Sequence, residues 1–432
     1  MKKYLLLLFA LAILTISYNK ADSTNSQPTN TEFFRNSEFH QKYKLSEVVI
    51  FSRHNIRAPM ATPGSFISTV TPYTWHDFGV NASELTEKGG ILETINGQFF
   101  YKWLVNEELF SEITRPSEEE IYILSNSKQR TIATAEYFLK GFMPTMTIPV
   151  NHTGNFDDMD PEFALSLGAD ITDAQWAQIR SEYADGCNEE AIRKASQALQ
   201  SNYDLLSNVI DLKNSPAYKE GSFTGFDNYN SKLTLSVGDE PRLDASINKA
   251  YSIVDALILQ YYEEQDLQKV AFGKTLTLEQ WQMLAKILKV HDDIRFYSPF
   301  VQHYVSQHQR NIIAQELQKQ GRKFSYICGH DTNILNILKS LKTKEYNIPD
   351  AVELGTPIGS KIVFEKWVNA SGKEFIGVNH VYQTIDQLRG NTPLDLTTTP
   401  NCIRLQFEGL QANEDGLYPI NVMIERLTEN PY

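Results

Sequence analysis

Three times in this chain a run of β-forming residues breaks off into a polar turn and then gives way to helical spacing. The first run, Glu47 to Ser52 (EVVIFS), leads into Arg53-His54-Asn55-Ile56-Arg57-Ala58-Pro59. The second, Ile121 to Ser125 (IYILS), is followed by NSKQRTIATAEYFLKGF, and the third, Phe324 to Cys328 (FSYIC), by GHDTNILNILKSL. Short apolar strands alternating with helices point to a sheet covered on both faces. The expected fold is therefore α/β, a mostly parallel sheet with helices on both faces. Further strands are expected at Lys361 to Trp367 and Ile403 to Phe407.

Between about 151 and 321 the pattern changes to long helical stretches. Ala250, Tyr251, Val254, Leu257, Ile258 and Tyr261 recur at three- and four-residue steps, the mark of one buried helix face. Gln280 to Val290 reads the same way. This block is expected to be a mainly helical domain inserted into the α/β domain. A chain of 432 residues is also long enough for two or three domains, at about 100–200 residues each. The expected bounds are 40–150 for the first part of the α/β domain, 151–321 for the insertion and 322–432 for the second part.

Ahead of these lie two further segments. MKKYLLLLFALAILTIS sets Lys2 and Lys3 before an apolar run from Leu5 to Ile16, the plan of a secretory signal. The run is well short of the roughly 20 apolar residues that a membrane-spanning helix needs, although an uncleaved anchor is the rival reading. Cleavage after Ser17 or after Ala21 fits equally. Residues 1–21 are thus expected to be a signal peptide and 22–39 a flexible leader, rich in Ser, Thr, Asn and Gln at its start. No cysteine precedes Cys187, so a lipoprotein signal is excluded. Export permits disulfides. With only Cys187, Cys328 and Cys402 present, at most one internal bridge can form. The expectation is a secreted protein with no stable membrane association after signal removal.

The formal charge is -13, and no basic run appears beyond the N-terminus. A chain that gripped nucleic acid would need a surplus of Lys and Arg for phosphate contacts, so no nucleic-acid partner is expected. Charge says nothing about the oligomeric state.

The turns after the three strands carry the chemistry. In open α/β sheets the ligand crevice lies beyond the carboxyl ends of the strands. His54 stands there between Arg53 and Arg57. Guanidinium groups match phosphate oxygens with paired donors and stay charged at any working pH. Neutral imidazole is a nucleophile, and arginines offset charge building on phosphoryl oxygens. The plain alternative is a surface turn closed by Pro59.

After the third strand come His330 and Asp331 at a helix start, where free N–H groups and the helix dipole favour anions. His330 can bind a phosphoryl group while Asp331 protonates the departing oxygen, or Asp331 can simply cap the helix. After the second strand comes Arg130, a third guanidinium for the same clamp or an ordinary surface arginine. The strength of the reading is that all three turns share one sheet edge. His291-Asp292-Asp293 lacks a preceding strand and reads as a chance pairing. His303 and His308 lie five apart, off any single face, and make poor metal ligands. Neither metal nor nucleotide cofactor is expected. Asn81-Ala-Ser, Asn151-His-Thr and Asn369-Ala-Ser fit glycosylation acceptors, which is without meaning in a bacterial host.

RHNIRAP, SKQRTIATA and GHDTNI together resemble the signature set of the histidine acid phosphatases. The likeness runs over nearly the whole chain after the signal. SIVDALILQYYE, MDPEF, TPIGSKIVFEKW and VYQTIDQLR are similar to the bacterial periplasmic glucose-1-phosphatase subgroup. Asn55, where most members carry Gly, fits that subgroup. The resemblance implies an α/β domain with a helical second domain and a phosphohistidine at His54. It implies a phosphate pocket of Arg53, Arg57, Arg130 and His330, Asp331 as proton donor, a periplasmic location and an acidic working pH.

The expected activity is metal-independent hydrolysis of small sugar or polyol phosphates, glucose-1-phosphate among them. Three rivals remain open on the sequence. A phytase attacking inositol hexakisphosphate would favour Lys and Arg around the cleft mouth. A sugar-phosphate-binding protein without turnover would need neither His54 nor Asp331. A mutase would share the nucleophile but fit an export signal poorly.

Overall fold

The computed structural model describes residues 33–432; the signal expected at 1–21 and the start of the leader lie outside the described residues. Residues 33–39, expected at the leader's end, are instead packed against the sheet domain. Phe33 lies edge-on to Phe99 and Trp103 at 4.8 and 4.9 Å between ring centroids. Asn36 accepts from the Phe39 N–H at 2.9 Å and so caps helix α1 (Ser37–Lys42). Three aromatic residues in seven explain the difference, since a segment this apolar gains more by burial than a polar leader can.

The sheet is built from β1 (Tyr43–Arg53), β2 (Ile121–Ser125), β3 (Phe324–Gly329), β4 (Lys361–Asn369), β5 (Glu374–Tyr382), β6 (Asn401–Arg404) and β7 (Tyr418–Pro419). Their order is β2-β3-β1-β4-β5-β6, with β7 on β5. The parallel pairings join β2, β3 and β1, the strands read from sequence. The chain returns through β4 to β7 in antiparallel pairings. Alternate residues of β1 face opposite ways. Val48 and Ile50 join the core under α2 (Glu87–Asn106) and α3 (Gln129–Phe142). Val49 and Phe51 join the core on the other face, which contains Ile334, Ile337 and Met423. All four are fully buried, each contributing about 1.5–3 kcal/mol relative to exposure. Coverage of both faces explains why the run looks uninterruptedly apolar.

The helical block centres on α4 (Ala245–Glu263) and α5 (Leu278–Arg295). The six apolar positions read on α4 share one face, but burial is not confined to it. Ala250, Val254, Leu257 and Ile258 are buried, as are Ile247, Ile253 and Leu259, whereas Tyr251 and Tyr261 are partly exposed. The helix is enclosed on nearly all sides, so periodicity understates its burial.

Packing does not break at the expected bounds of the insertion. Helix α6 (Pro299–Leu317) puts Phe300, Val301 and Val305 in the helical core but Ile313, Ala314 and Leu317 in the sheet core. Asn151 pairs with Leu124 beside β2, and Phe163 packs 6.3 Å from Phe51. Both margins of 151–321 therefore pack with the sheet. Helix α7 (Asp331–Ser340) follows β3 directly, and α8 (Ile420–Thr428) closes the chain. No disulfide joins Cys187, Cys328 and Cys402, all buried. Among the described residues no helix is long and apolar enough to cross a membrane.

Candidate active site

Strand register brings the three turns to one level. Ser52 and Ser125 both pair with Cys328, and Arg53 pairs with Gly329. The next backbone groups stay knitted together. The His54 N–H donates to the Gly329 carbonyl at 3.0 Å, and that of Asn126 to the Cys328 carbonyl at 3.0 Å. His54, Asn126 and His330 therefore leave adjacent parallel strands at the same edge. The His54 and His330 rings lie 5.5 Å apart.

Hydrogen-bond partners set the tautomer of each imidazole. His54 Nδ1 lies 2.8 Å from the Asn55 carbonyl oxygen. A carbonyl can only accept, so Nδ1 carries the proton and Nε2 keeps its lone pair. Burial, then the positive charges of Arg130, Arg53 and Arg57, hold the His54 pKa well below the usual histidine value. These effects favour the neutral ring.

His330 has the reverse arrangement. Its Nε2 lies 2.7 Å from Asn126 Nδ2, while Asn126 Oδ1 accepts from the Asp160 N–H at 3.0 Å. Asn126 is thus oriented as donor and His330 Nε2 accepts, so Nδ1 carries the proton; Arg130 Nη2, itself a donor, lies 3.4 Å from it. Burial and Arg130 keep this ring neutral too.

Each arginine arrives with a partner. Arg53 Nη2 is 3.1 Å from Asp331 Oδ2, and its Nη1 donates to the Thr356 carbonyl. Arg57 Nη2 donates to Asp255 Oδ2 at 2.8 Å, tying the turn to α4. Arg130 Nη1 donates to Ser83 Oγ at 2.8 Å. Asp331 is the first residue of α7 and accepts from the Thr332 N–H at 2.8 Å, while Asn333 reaches back to the His330 N–H at 2.9 Å. Part of the capping thus falls to Asn333, leaving Asp331 Oδ2 toward Arg53. Burial raises the Asp331 carboxyl, but Arg53, with the Thr332 N–H and Arg57, outweighs it and holds its pKa below the ordinary aspartate value. Three guanidinium groups, one nucleophilic nitrogen, one imidazole donor and one carboxyl form a site suited to phosphoryl transfer.

The model of the histidine phosphatase superfamily (branch 2) matches residues 44–383. The chain belongs to this family. It is 32% identical to glucose-1-phosphatase of Salmonella typhimurium over 88% of this chain and 91% of that protein. It is 28% identical to phytase AppA of Escherichia coli, covering 87% and 89%. Among solved structures, Hafnia alvei phytase superposes with a TM-score of 0.79 at 27% identity, covering 90% of this chain and 97% of that one.

In this branch 2 histidine phosphatase several supporting residues were invisible to motif reading. Asn126 fixes the His330 tautomer, and Asp160 in turn accepts from the Ser127 N–H and hydroxyl at 3.0 and 2.7 Å. Glu353 lies 3.6 Å from Arg53 Nη1 and accepts from the Tyr262 hydroxyl at 2.7 Å and the Ile358 N–H at 3.0 Å. The sequence signal was indirect, for the family-like stretches MDPEF and TPIGSK hold or adjoin them.

Asn55 does not face the cleft. Its side chain is buried and donates at 2.7 Å to Glu93, which forms a buried ion pair with Lys361 at 3.1 Å. His303 is buried and His308 exposed. Among the described residues no three His, Cys, Asp or Glu side chains gather as metal ligands.

Beside Arg53 and Asp331 opens a cleft between the sheet edge and the helical block. Ile258, Leu288, Leu335 and Leu354 supply apolar surface, and Asp255, Asp292 and Asp293 supply carboxylates. Two residues of the His291-Asp292-Asp293 segment set aside as a chance His-Asp pairing, Asp292 and Asp293, thus reach the cleft from α5. Lys289 also lines the cleft but pairs with Asp293 at 2.5 Å.

Proposed function

We propose that this enzyme hydrolyses phosphate esters of small sugars, of the glucose-1-phosphate kind, through a phosphohistidine at His54. Nε2 attacks phosphorus as the bond to the leaving oxygen breaks, and Asp331 gives that oxygen a proton. Water then attacks the phosphorus of phospho-His54, the Asp331 carboxylate takes the water's proton, and phosphate leaves with His54 restored. Arg53, Arg57, Arg130 and the His330 Nδ1–H hold the phosphoryl oxygens through both steps, concentrating positive charge where negative charge builds. No metal enters this scheme, because the arginines do what a divalent ion does in other phosphatases.

The observation that carries the substrate class is the carboxylate-lined cleft beside Asp331. Phytate keeps five phosphates outside the phosphoryl pocket, and carboxylates there repel them. A sugar brings hydroxyl donors that carboxylates accept and a ring face that leucine and isoleucine cover. Catalytic efficiency should therefore be higher on glucose-1-phosphate than on phytate in a substrate panel at one pH. A preference for phytate would overturn the substrate assignment, and phosphate capture without release would overturn catalysis. The Lys2-Lys3 start and short apolar run support secretion to the periplasm, which N-terminal sequencing of the exported protein would check through the loss of residues 1–17 or 1–21.

A further inference from the structure

We propose that Tyr251 is a specificity-determining residue of this site, its hydroxyl donating a hydrogen bond to the leaving group. The inference rests on the sugar-phosphate reading above. Tyr251 and Asp255 stand four residues apart on α4, so their side chains leave one helix face a turn apart. Both line the cleft that Arg53 and Asp331 border, and Asp292 reaches it from α5.

The Tyr251 ring is held in place. It packs on His291 at 4.4 Å between centroids, and His291 Nδ1 is anchored 3.0 Å from Asp292 Oδ1. The polar end is not held, for among the described residues the hydroxyl makes no hydrogen bond. A fixed ring with an unmatched donor in a cleft is what a site for an external acceptor requires. The carboxylates in the cleft have partners already, Asp255 from Arg57 and Asp292 from His291 and Arg295.

Ionised carboxylates only accept hydrogen bonds, whereas each sugar hydroxyl both donates and accepts. Tyr251 supplies a neutral donor on a fixed ring, whereas the cationic donors of the wall, Lys289 and Arg53, are already paired with Asp293 and Asp331. Burial, then Asp292, Asp331 and Asp255, push its pKa well above the usual tyrosine value, so it stays a neutral donor over the working range. A nitrophenyl leaving group lacks hydroxyls to receive such a bond and should be indifferent to the residue.

The test compares wild type with Tyr251→Phe, which keeps the ring on His291 and removes only the hydroxyl. Glucose-1-phosphate, phytate and nitrophenyl phosphate would be assayed, with inorganic phosphate as inhibitor. The expected result is a loss of about 10-fold in kcat/KM on glucose-1-phosphate, mainly through KM, as one hydrogen bond is worth. Nitrophenyl phosphate should change less than about 2-fold on the same reasoning, and inhibition by phosphate should be unchanged. An equal loss on both esters, or no loss on either, overturns the role of Tyr251 while leaving the sugar-phosphate reading intact. A wild type that prefers phytate overturns both.

Discussion

The residue that most needs explanation is Asp331, because the free enzyme holds it ionised and a proton donor must be protonated. Arg53 lies 3.1 Å away and stabilises the carboxylate. A bound phosphoryl group takes over that guanidinium and brings negative charge beside Asp331, and both changes raise its pKa. Binding is then linked to proton uptake. The pKa is higher in the complex than in the free enzyme, so affinity should fall as pH rises through the bound value. Calorimetry of vanadate binding to the resting enzyme in buffers of different ionisation enthalpy should show uptake toward the acid side of neutrality. Binding enthalpy independent of buffer would contradict the linkage.

The acid role itself is separable from helix capping. Asp331→Asn keeps the shape and the hydrogen bond to the Thr332 N–H but has no proton to transfer. Phosphorylation of His54 by glucose-1-phosphate should slow by about 10²–10⁴-fold, the usual worth of a general acid. Nitrophenyl phosphate, whose leaving group departs readily as an anion, should slow far less in pre-steady-state bursts. Equal losses on the two esters would assign Asp331 to capping or packing.

At the scale of elements, α2 and α3 cross so closely that glycine is required at the contact. A Cβ at Gly97 would sit 2.1 Å from the Phe138 carbonyl oxygen, and one at Gly141 would sit 2.0 Å from that of Thr94. Alanine improves helix propensity by about 1 kcal/mol, but these neighbours are backbone atoms that cannot swing away. The clash should win, with Gly141→Ala destabilised by about 1–3 kcal/mol in urea unfolding. Unchanged or increased stability would show that the helices can separate at no cost.

The same elements show where sequence reading succeeded. The strands β1, β2 and β3, and the turns after them, were legible because burial on both faces leaves an apolar run that a polar turn interrupts sharply. That reading put Arg53, His54, Arg57, Arg130, His330 and Asp331 at or just past the strand ends, and the register gathers His54 and His330 at one edge. Tyr251, Asp292 and Glu353 were not legible as residues of the cleft. They come from helices and a loop that reach the cleft only through tertiary packing, and a helix pattern does not say which polar side chain meets another domain. Asn55 was legible only as a mark of the subgroup; that its amide turns inward to the Glu93–Lys361 pair could not be read from the motif.

For the whole molecule, the proposed scheme gives the phosphoryl chemistry to the sheet edge and the choice of leaving group to the helical block that lines the cleft. The Arg57–Asp255 pair at 2.8 Å joins the two parts at the site itself. A net charge of -13 is compatible with an anionic substrate because the positive charge is concentrated at one sheet edge, where short-range pairing outweighs the screened distant field. Everything in this account depends on His54 carrying the phosphoryl group. The direct measurement is rapid acid-quench with labelled glucose-1-phosphate, followed by peptide mapping under alkaline conditions. The expected result is one alkali-stable, acid-labile phosphoryl group on the peptide containing His54, absent in a folded His54→Ala variant that has lost nearly all turnover. Label on serine or another residue, or robust turnover by His54→Ala, would contradict it.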